Sequence, residues 1–497
     1  LVEYNQNNKN DMTIQEIFQL ATANDVISEL KSCRFIPQPD VESANKALDP
    51  KLHDIMSPIM RPDKRVQVSA DDEADSAQKV ISTDGESTNF KTVRVARVAV
   101  ALQKLIIKRA VSFVFGNSPA YNSTPENEQE EAVARALDRI LYGVKCKSLN
   151  RKIGRSIFGY KEAAEYWYPV ESPNTKYGFP SQFKMRCTIF SPAYGDTLYP
   201  YFDETGDMVA FSRSFARTRD GVVTNYFETF TDTEHWLWIN GANGFDCVDG
   251  YPKKTGINKI PVIYGHQPEF ETEDVNALID RLETLLSNFA DTNDYHASPK
   301  IFTTGQINGW AQKGESGAVI EGEEGATMQY VSWQQAPEAV KLEIDTLLKL
   351  IYTITQTPDI SFDAVKGLGA MSGVALKLLF MDAHLKVQDK CEIFDDYLQR
   401  RVNVILEYIA QMNTSLADAC ESIMIEPEII PYMITSDIDD LNYWMTANGN
   451  KPVVSQEESI IGAGISKNPE MTMKKLEEQD TRDNSFIIGE PQLEGDA

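Results

Sequence analysis

Between Glu271 and Leu379 the chain spells two long amphipathic helices separated by a short insert broken by glycines, and few folds accommodate such a unit. Thr272 with Glu273 and Asp274 makes an N-cap with an acidic first turn. Behind it Val275, Leu278, Ile279, Leu282, Leu285, Leu286 and Phe289 recur at helical spacing. The opposite face carries Glu273, Asp280, Glu283, Ser287 and Asp291, and is expected to show water. The second helix, Pro337 to Thr357, opens on proline and carries Val340, Ile344, Leu347, Leu348, Ile351 and Ile354. At about 1.5 Å per residue each helix is roughly 30 Å long, so the two pair antiparallel with the insert, Ala297 to Gln335, at one end. Its short apolar runs between turns predict small strands. A helical hairpin tipped by a β module is a poor monomer and reads as a building block.

The rest of the chain sets bounds. Its 497 residues suffice for two to four domains. With 48 basic and 74 acidic residues the net charge is 48 − 74 = −26, which argues against affinity built on neutralising phosphates. An acidic channel wall would instead let a phosphate backbone slide. The six cysteines, at 33, 146, 187, 247, 391 and 420, contain no CxxC, and the five histidines stand at least 30 residues apart, so neither a zinc site nor another metal or cofactor is expected. The most apolar stretch, Val95 to Phe115, is interrupted by Arg97, Lys104, Lys108 and Arg109, and no membrane segment or secretion signal is predicted.

In chain order, Thr13 and Glu16 form a capping box for a helix over 13–32. Residues 69–89, acidic and small, read as an exposed loop. A strand-like lead-in at Thr92 to Val95 and a basic helix from Val98 to Val114, ended by Gly116, follow; that helix reads as core with solvated Lys and Arg ends, or as facing an anion or a subunit. Residues 127–158 are helical. From Tyr160 to His266 aromatic strands with turns at Glu204–Asp207, Asp220-Gly221 and Asn240-Gly241 predict an antiparallel β module whose aromatics are sheet core. Gly373 to Met412 is one long helical run, with further helices around 416–423, 437–446 and 469–479.

Catalytic signatures are missing. There is no GxxxxGK[ST] and no HExxH; Gly367-Leu-Gly369-Ala-Met-Ser-Gly373 has its last glycine one place late for a dinucleotide fingerprint and follows a helix. Asp395 and Asp396 read as a solvated helix face, and no enzyme is expected.

The run TPDISFDAVKGLGAMSGVALKLLFMDAHLKVQDKCEIFDDYLQRRVNVIL, Thr357 to Leu406, resembles portal proteins of tailed double-stranded DNA bacteriophages, the head-to-tail connectors. Thr92 to Gly116 looks like that family's lead into the wing, and GAGISKNPEMTMKKL like its closing helices. The resemblance implies an α+β portal-type fold. Its parts are a mixed wing over 1–271, stem helices over 272–296 and 336–357, a β-containing clip over 297–335, a tunnel loop over 358–372, a long helix returning to the wing over 373–390, and a helical crown with an acidic tail over 391–497.

The resemblance further implies a structural ring of about twelve copies at one capsid vertex, assembled in the host bacterial cytoplasm. Its partners would be double-stranded DNA in the channel, the large terminase, the head-completion, adaptor or tail proteins, and the major capsid protein, with no membrane. Asp359, Asp363, Lys366, Gly367, Gly369 and Met371 would form the DNA-channel loop, with Pro358 stopping the helix, Gly373 also allowing movement, and Lys366 best placed to touch a phosphate. Trp310, Lys313, Glu315 and Trp333 would dock partners at the clip. Leu278, Leu282, Leu285, Phe289, Leu347 and Ile351 would pack subunits along the stem. Two other readings remain open. One is a cytoplasmic hydrolase using His235 and carboxylates of the β module; the other is a structural ring without DNA passage.

Overall fold

Period-two alternation along the aromatic strands decides how the β module is layered. Five strands, Thr197–Phe202, Met208–Arg219, Val222–Phe230, Glu234–Gly241 and Gly244–Cys247, form an antiparallel meander in sequence order. A second sheet places Glu162–Asn174 between Ser181–Phe190 and Val262–His266. Leu198, Phe211 and Phe230 on one face of the meander meet Ala164, Phe190, Val262 and Tyr264 of the second sheet. The neighbouring positions Tyr199, Phe227 and Trp238 point the other way and are covered by Ile17, Val26, Ile27 and Leu30. These come from two helices, Ile14–Phe18 and Ala23–Ser32, rather than the single helix expected; the capping box of Thr13 is present, and Thr22 caps the second helix afresh.

The computed structural model describes residues 13–34, 36–68, 78–81, 87–297, 300–304, 307–309, 321–322, 325, 327–331, 337–359, 380–432, 445–446, 449, 454–463 and 469–487. Two compact units are distinguished, 1–364 with 380–432, and 365–379 with 433–497. In the second, helices Gln456–Ala463 and Pro469–Ile487 contact one another.

The long helix, Met381–Met412, organises the first unit. It runs unbroken through Lys390 and Cys391, where the returning helix and crown were expected to divide, and 391–432 belongs to the same unit as the β module. Phe394 meets Phe115 and Phe158 edge-on. Gly265 lets the strand Val262–His266 approach, since a methyl there would stand 2.7 Å from the Tyr397 ring. Arg401 is 1% exposed and Glu165 0%. The guanidinium donates to both carboxylate oxygens, at 2.7 and 2.9 Å, and to Asn150 Oδ1 at 2.7 Å. Trp167 Nε1 donates to the same carboxylate, and Tyr408 donates to the Trp167 carbonyl, so every arm of this buried pair is used.

Several sequence expectations shift. Within 69–89, read as a loop, Gln78–Ile81 and Ser87–Val93 are strands flanking one another in a three-stranded sheet with Lys64–Val68. The basic helix begins only at Leu102, and its apolar side is core while Lys104 and Lys108 are exposed. The Asn240-Gly241 turn falls two residues later, because Gly241 pairs with Gly244, whose φ of +113° closes the loop. Strand Ile425–Glu428 pairs with Ala120–Ser123, a long-range contact that neither segment announces.

Candidate functional site: the anchored helical hairpin

The two hairpin helices are Asn276–Ala297 and Pro337–Ile354. A single 3-10 turn, Glu273–Val275, precedes the first, and buried Thr272 makes no side-chain cap. Ile279 and Leu282 of the first helix, with Val275 just before it, pack against Leu347 and Ile351 of the second, and Ile106 of the helix Leu102–Phe115 closes the cluster. Arg281 donates to Glu343 at 2.7 Å across the exposed side of the pair.

On the polar face of the first helix Glu273 and Asp280 are exposed as expected, but Glu283, Ser287 and Asp291 are not solvated. Residues Arg94–Ala101 run extended along it, and every second backbone N–H is taken by a helix side chain. Ala96 donates to Asp291 Oδ1 at 2.6 Å, Val98 to Ser287 Oγ at 2.9 Å, and Val100 to Glu283 Oε1 at 2.8 Å. The spacings match: four helical residues rise about 6 Å and two extended residues about 6.6 Å. A polar stripe at i, i+4, i+8 therefore serves as the edge of a sheet for a segment with no sheet partner, and Glu283 and Ser287 are buried.

Side chains before that segment tighten the clasp. Arg61 reaches Asp291 Oδ2, Asn288 Oδ1 and the Ala96 carbonyl, each at 2.8 to 2.9 Å. Buried His53 faces Glu283 Oε1 through Nδ1 at 2.7 Å and the Ala47 carbonyl through Nε2 at 3.2 Å. Both partners are acceptors, so the ring must carry both protons to satisfy them. The hydrogen bond to Glu283 accordingly raises the His53 pKa, against the opposing pull of burial. A folded-state pKa above the unfolded one gives stability that is fully present below about pH 6.5 and is lost as pH rises through the raised value. Wild-type protein should thus lose denaturant resistance relative to His53→Gln between about pH 6 and pH 9. Parallel urea midpoints for the two proteins across that range would contradict the assignment.

The exit from the second helix is held from three sides. Thr357 N–H donates to the Tyr352 carbonyl and Gln356 N–H to that of Thr353, a Schellman closure with Gln356 at φ +47°, where glycine is usual. Lys386 of the long helix donates to the Thr355 carbonyl at 2.8 Å, and Arg109 to the Pro358 carbonyl at 2.8 Å. Lys386 also pairs with buried Glu271 at 2.5 Å, and Lys390 with its other oxygen at 3.0 Å. Burial pulls the Lys386 pKa down, while Glu271 works in the opposite sense. One ammonium thus joins the chain just before the first hairpin helix to the end of the second. A cleft of about 670 Å³ beside it is lined by Gln267, Glu271, Ile354, Lys386, Lys390 and Arg400.

A family model described as "Phage portal protein, SPP1 Gp6-like" matches residues 63–485. The chain belongs to that family. The portal protein's structural character and α+β fold follow from it. A search of curated proteins matches none. Among solved structures the portal protein is similar to a chain of the "Neck of empty GTA particle computed with C6 symmetry", at 10% identity over 74% of this chain and 89% of that one, with TM-score 0.36. A chain of the "Virion of native gene transfer agent (GTA) particle" has the same identity and coverage and TM-score 0.35.

The expected site residues of the portal protein fare unequally. Of the stem set, Leu282, Leu347 and Ile351 are buried against the chain's own core, with Leu278 and Leu285 half-buried beside them and Phe289 likewise half-buried. The second helix also exposes Leu342 (68%), Leu350 (43%) and Ile354 (46%), eight and four residues apart along one stripe and assigned in the sequence to no partner. Asp359 is exposed at the end of the described helix exit. Asp363, Lys366, Gly367, Gly369 and Met371, and the clip residues Trp310, Lys313, Glu315 and Trp333, lie outside the described residues.

In the insert, Lys300–Thr304 pairs with Thr327–Val331 and Ile307–Gly309 with Glu321–Gly322. His235, the group a hydrolase would use, is bonded to Glu228 at 2.7 Å, and Glu228 in turn to Arg213. Among the described residues no group of side chains could hold a metal ion, and no helix is long and apolar enough to cross a membrane.

Proposed function

We propose that the portal protein assembles as a closed ring, about twelve-fold, at one vertex of a phage capsid. There it is the channel for genome packaging and ejection, and the docking platform for the packaging motor and then for adaptor and tail proteins. The observation that carries this reading is the hairpin itself. It is tied to the rest of its unit by Glu283, Ser287, Asp291, Lys386 and Arg109, yet leaves Leu342, Leu350 and Ile354 uncovered. A heterologous contact repeated around an axis closes such a stripe into a ring. The net charge of −26 suits a wall past which DNA slides without sticking.

Leu342→Asp with Leu350→Asp, both exposed in one subunit, should leave the fold intact and abolish ring formation. Light scattering and negative-stain microscopy of wild type and variant decide it: wild-type rings with an open centre are expected, and a monomeric wild type would overturn the proposal. Lys366, eight residues after Pro358 in the sequence, is proposed to touch the phosphate backbone weakly, and Trp310 to anchor a clip partner. Unchanged DNA retention in Lys366→Ala particles removes the first role. Unchanged motor and adaptor binding by Trp310→Ala rings removes the second.

A further inference from the structure

The hairpin Met208–Arg219/Val222–Phe230 extends past the sheet that carries it. Pairing with Thr197–Phe202 ends at Thr197 opposite Ser214, and pairing with Glu234–Gly241 ends at Tyr226 opposite Ile239. From Ala216↔Asn225 to Arg219↔Val222 the two strands have only each other. Four residues at about 3.4 Å make an arm of roughly 14 Å. Its tip is fixed by Asp220 and Gly221, with φ +52° and +79°, as a two-residue hairpin turn of the type that follows strand twist. A free two-stranded ribbon is marginal in water, so an arm of this length is expected to be covered in the assembled protein.

One face of the arm shows what would cover it. Phe215 and Tyr226 stack at 5.3 Å, and the Arg217 guanidinium lies over both rings. Further out stand Arg219 and Val222, with Val223 on the other face; Val222 is 64% and Val223 61% exposed. Two positions inward, Arg213 on the same face is neutralised by Glu228 and Asp196. Towards the tip that compensation stops: Arg217 makes no ion pair among the described residues, and Arg219 meets Asp220 at 3.9 Å with both side chains over 90% exposed. Phe215 is itself buried, so what the arm offers a partner is two guanidiniums and exposed valines, the charged and apolar parts of an interface centre. The chain otherwise carries a large acidic excess, so the surface most complementary to this arm is that of another copy.

We propose that the arm from Phe215 to Tyr226 docks on an acidic surface of the neighbouring copy, Arg217 and Arg219 supplying the charge and Val222 the apolar contact. The inference rests on the ring reading and adds a second, electrostatic contact far in sequence from the stem stripe. It also accounts for how subunits of net charge −26 associate despite mutual repulsion.

The test uses the full chain. Arg217→Glu with Arg219→Glu alters only exposed side chains, and unchanged circular dichroism and melting would establish that it folds. By mass photometry, its half-assembly concentration is expected to rise about tenfold or more over wild type near 0.15 M salt. Arg217→Lys with Arg219→Lys, which keeps the charge, should fall between. Assembly equal to wild type overturns the proposal. So does equal assembly combined with lost binding of a fluorescent DNA duplex or of purified capsid protein, which would make the arm a contact for that partner instead. A wild type that stays monomeric overturns the ring reading and the proposal together, whereas wild-type rings with indifferent arm variants overturn the proposal alone.

Discussion

Arg401→Ala should cost about 3–5 kcal/mol of stability, the loss typical when one member of a buried ion pair is removed and the other stays behind. Glu165 would keep a fully buried carboxylate with only Trp167 Nε1 to meet it, and Asn150 Oδ1 would keep only the Cys146 thiol as donor. The pair joins the long helix to the middle strand of the three-stranded sheet, so the loss should appear as a lower urea midpoint followed by tryptophan fluorescence, Trp167 lying inside the cluster. Replacing both charges, Arg401→Met with Glu165→Met, should recover most of it, because no unpaired charge then remains. If Arg401→Ala unfolds within about 0.5 kcal/mol of wild type, the pair is not what holds helix to sheet.

Glu271→Ala is expected to act with similar size, about 3–5 kcal/mol, through a different element. Without that carboxylate, Lys386 and Lys390 face each other with no shared counter-charge. The Lys386 pKa, already drawn down by burial, would fall further, and the ammonium would tend to lose its proton. The hydrogen bond to the Thr355 carbonyl would weaken with it, and the strained Gln356 closure would lose one of its holds. Amide exchange should therefore accelerate at Thr355 to Thr357 more than in the β module. Uniform acceleration across the chain would mean that Glu271 stabilises the unit generally and does not single out the hairpin exit.

Both residues show where sequence reading stops. Glu165 sits in an aromatic strand and Arg401 in a basic turn of a helix; 236 positions separate them, and no spacing rule links the two. Glu271 reads as one more acid before a capped helix. The clasp was closer to legible. Glu283, Ser287 and Asp291 recur at four-residue spacing, but the same stripe is what a solvated face looks like. Only the placement of Arg94–Ala101 against it turns that face into a row of acceptors.

What the sequence determined by itself is what depends on local periodicity and local turn chemistry. That covers the two hairpin helices, the capping box at Thr13, the aromatic sheet with its Asp220-Gly221 turn, the long helix through Met412, and the run that resembles portal proteins. Tertiary structure alone decided which of several apolar stripes stays inside the subunit. Helical spacing puts Leu347 and Ile351, which are buried, in one series with Ile354, which is exposed, and does not tell the first set from the second. What separates them is the helix Leu102–Phe115, whose Ile106 covers the first set and leaves the second exposed. Burial is a property of what lies opposite a side chain, and a segment some 170 residues or more away in the chain leaves no mark on the local pattern.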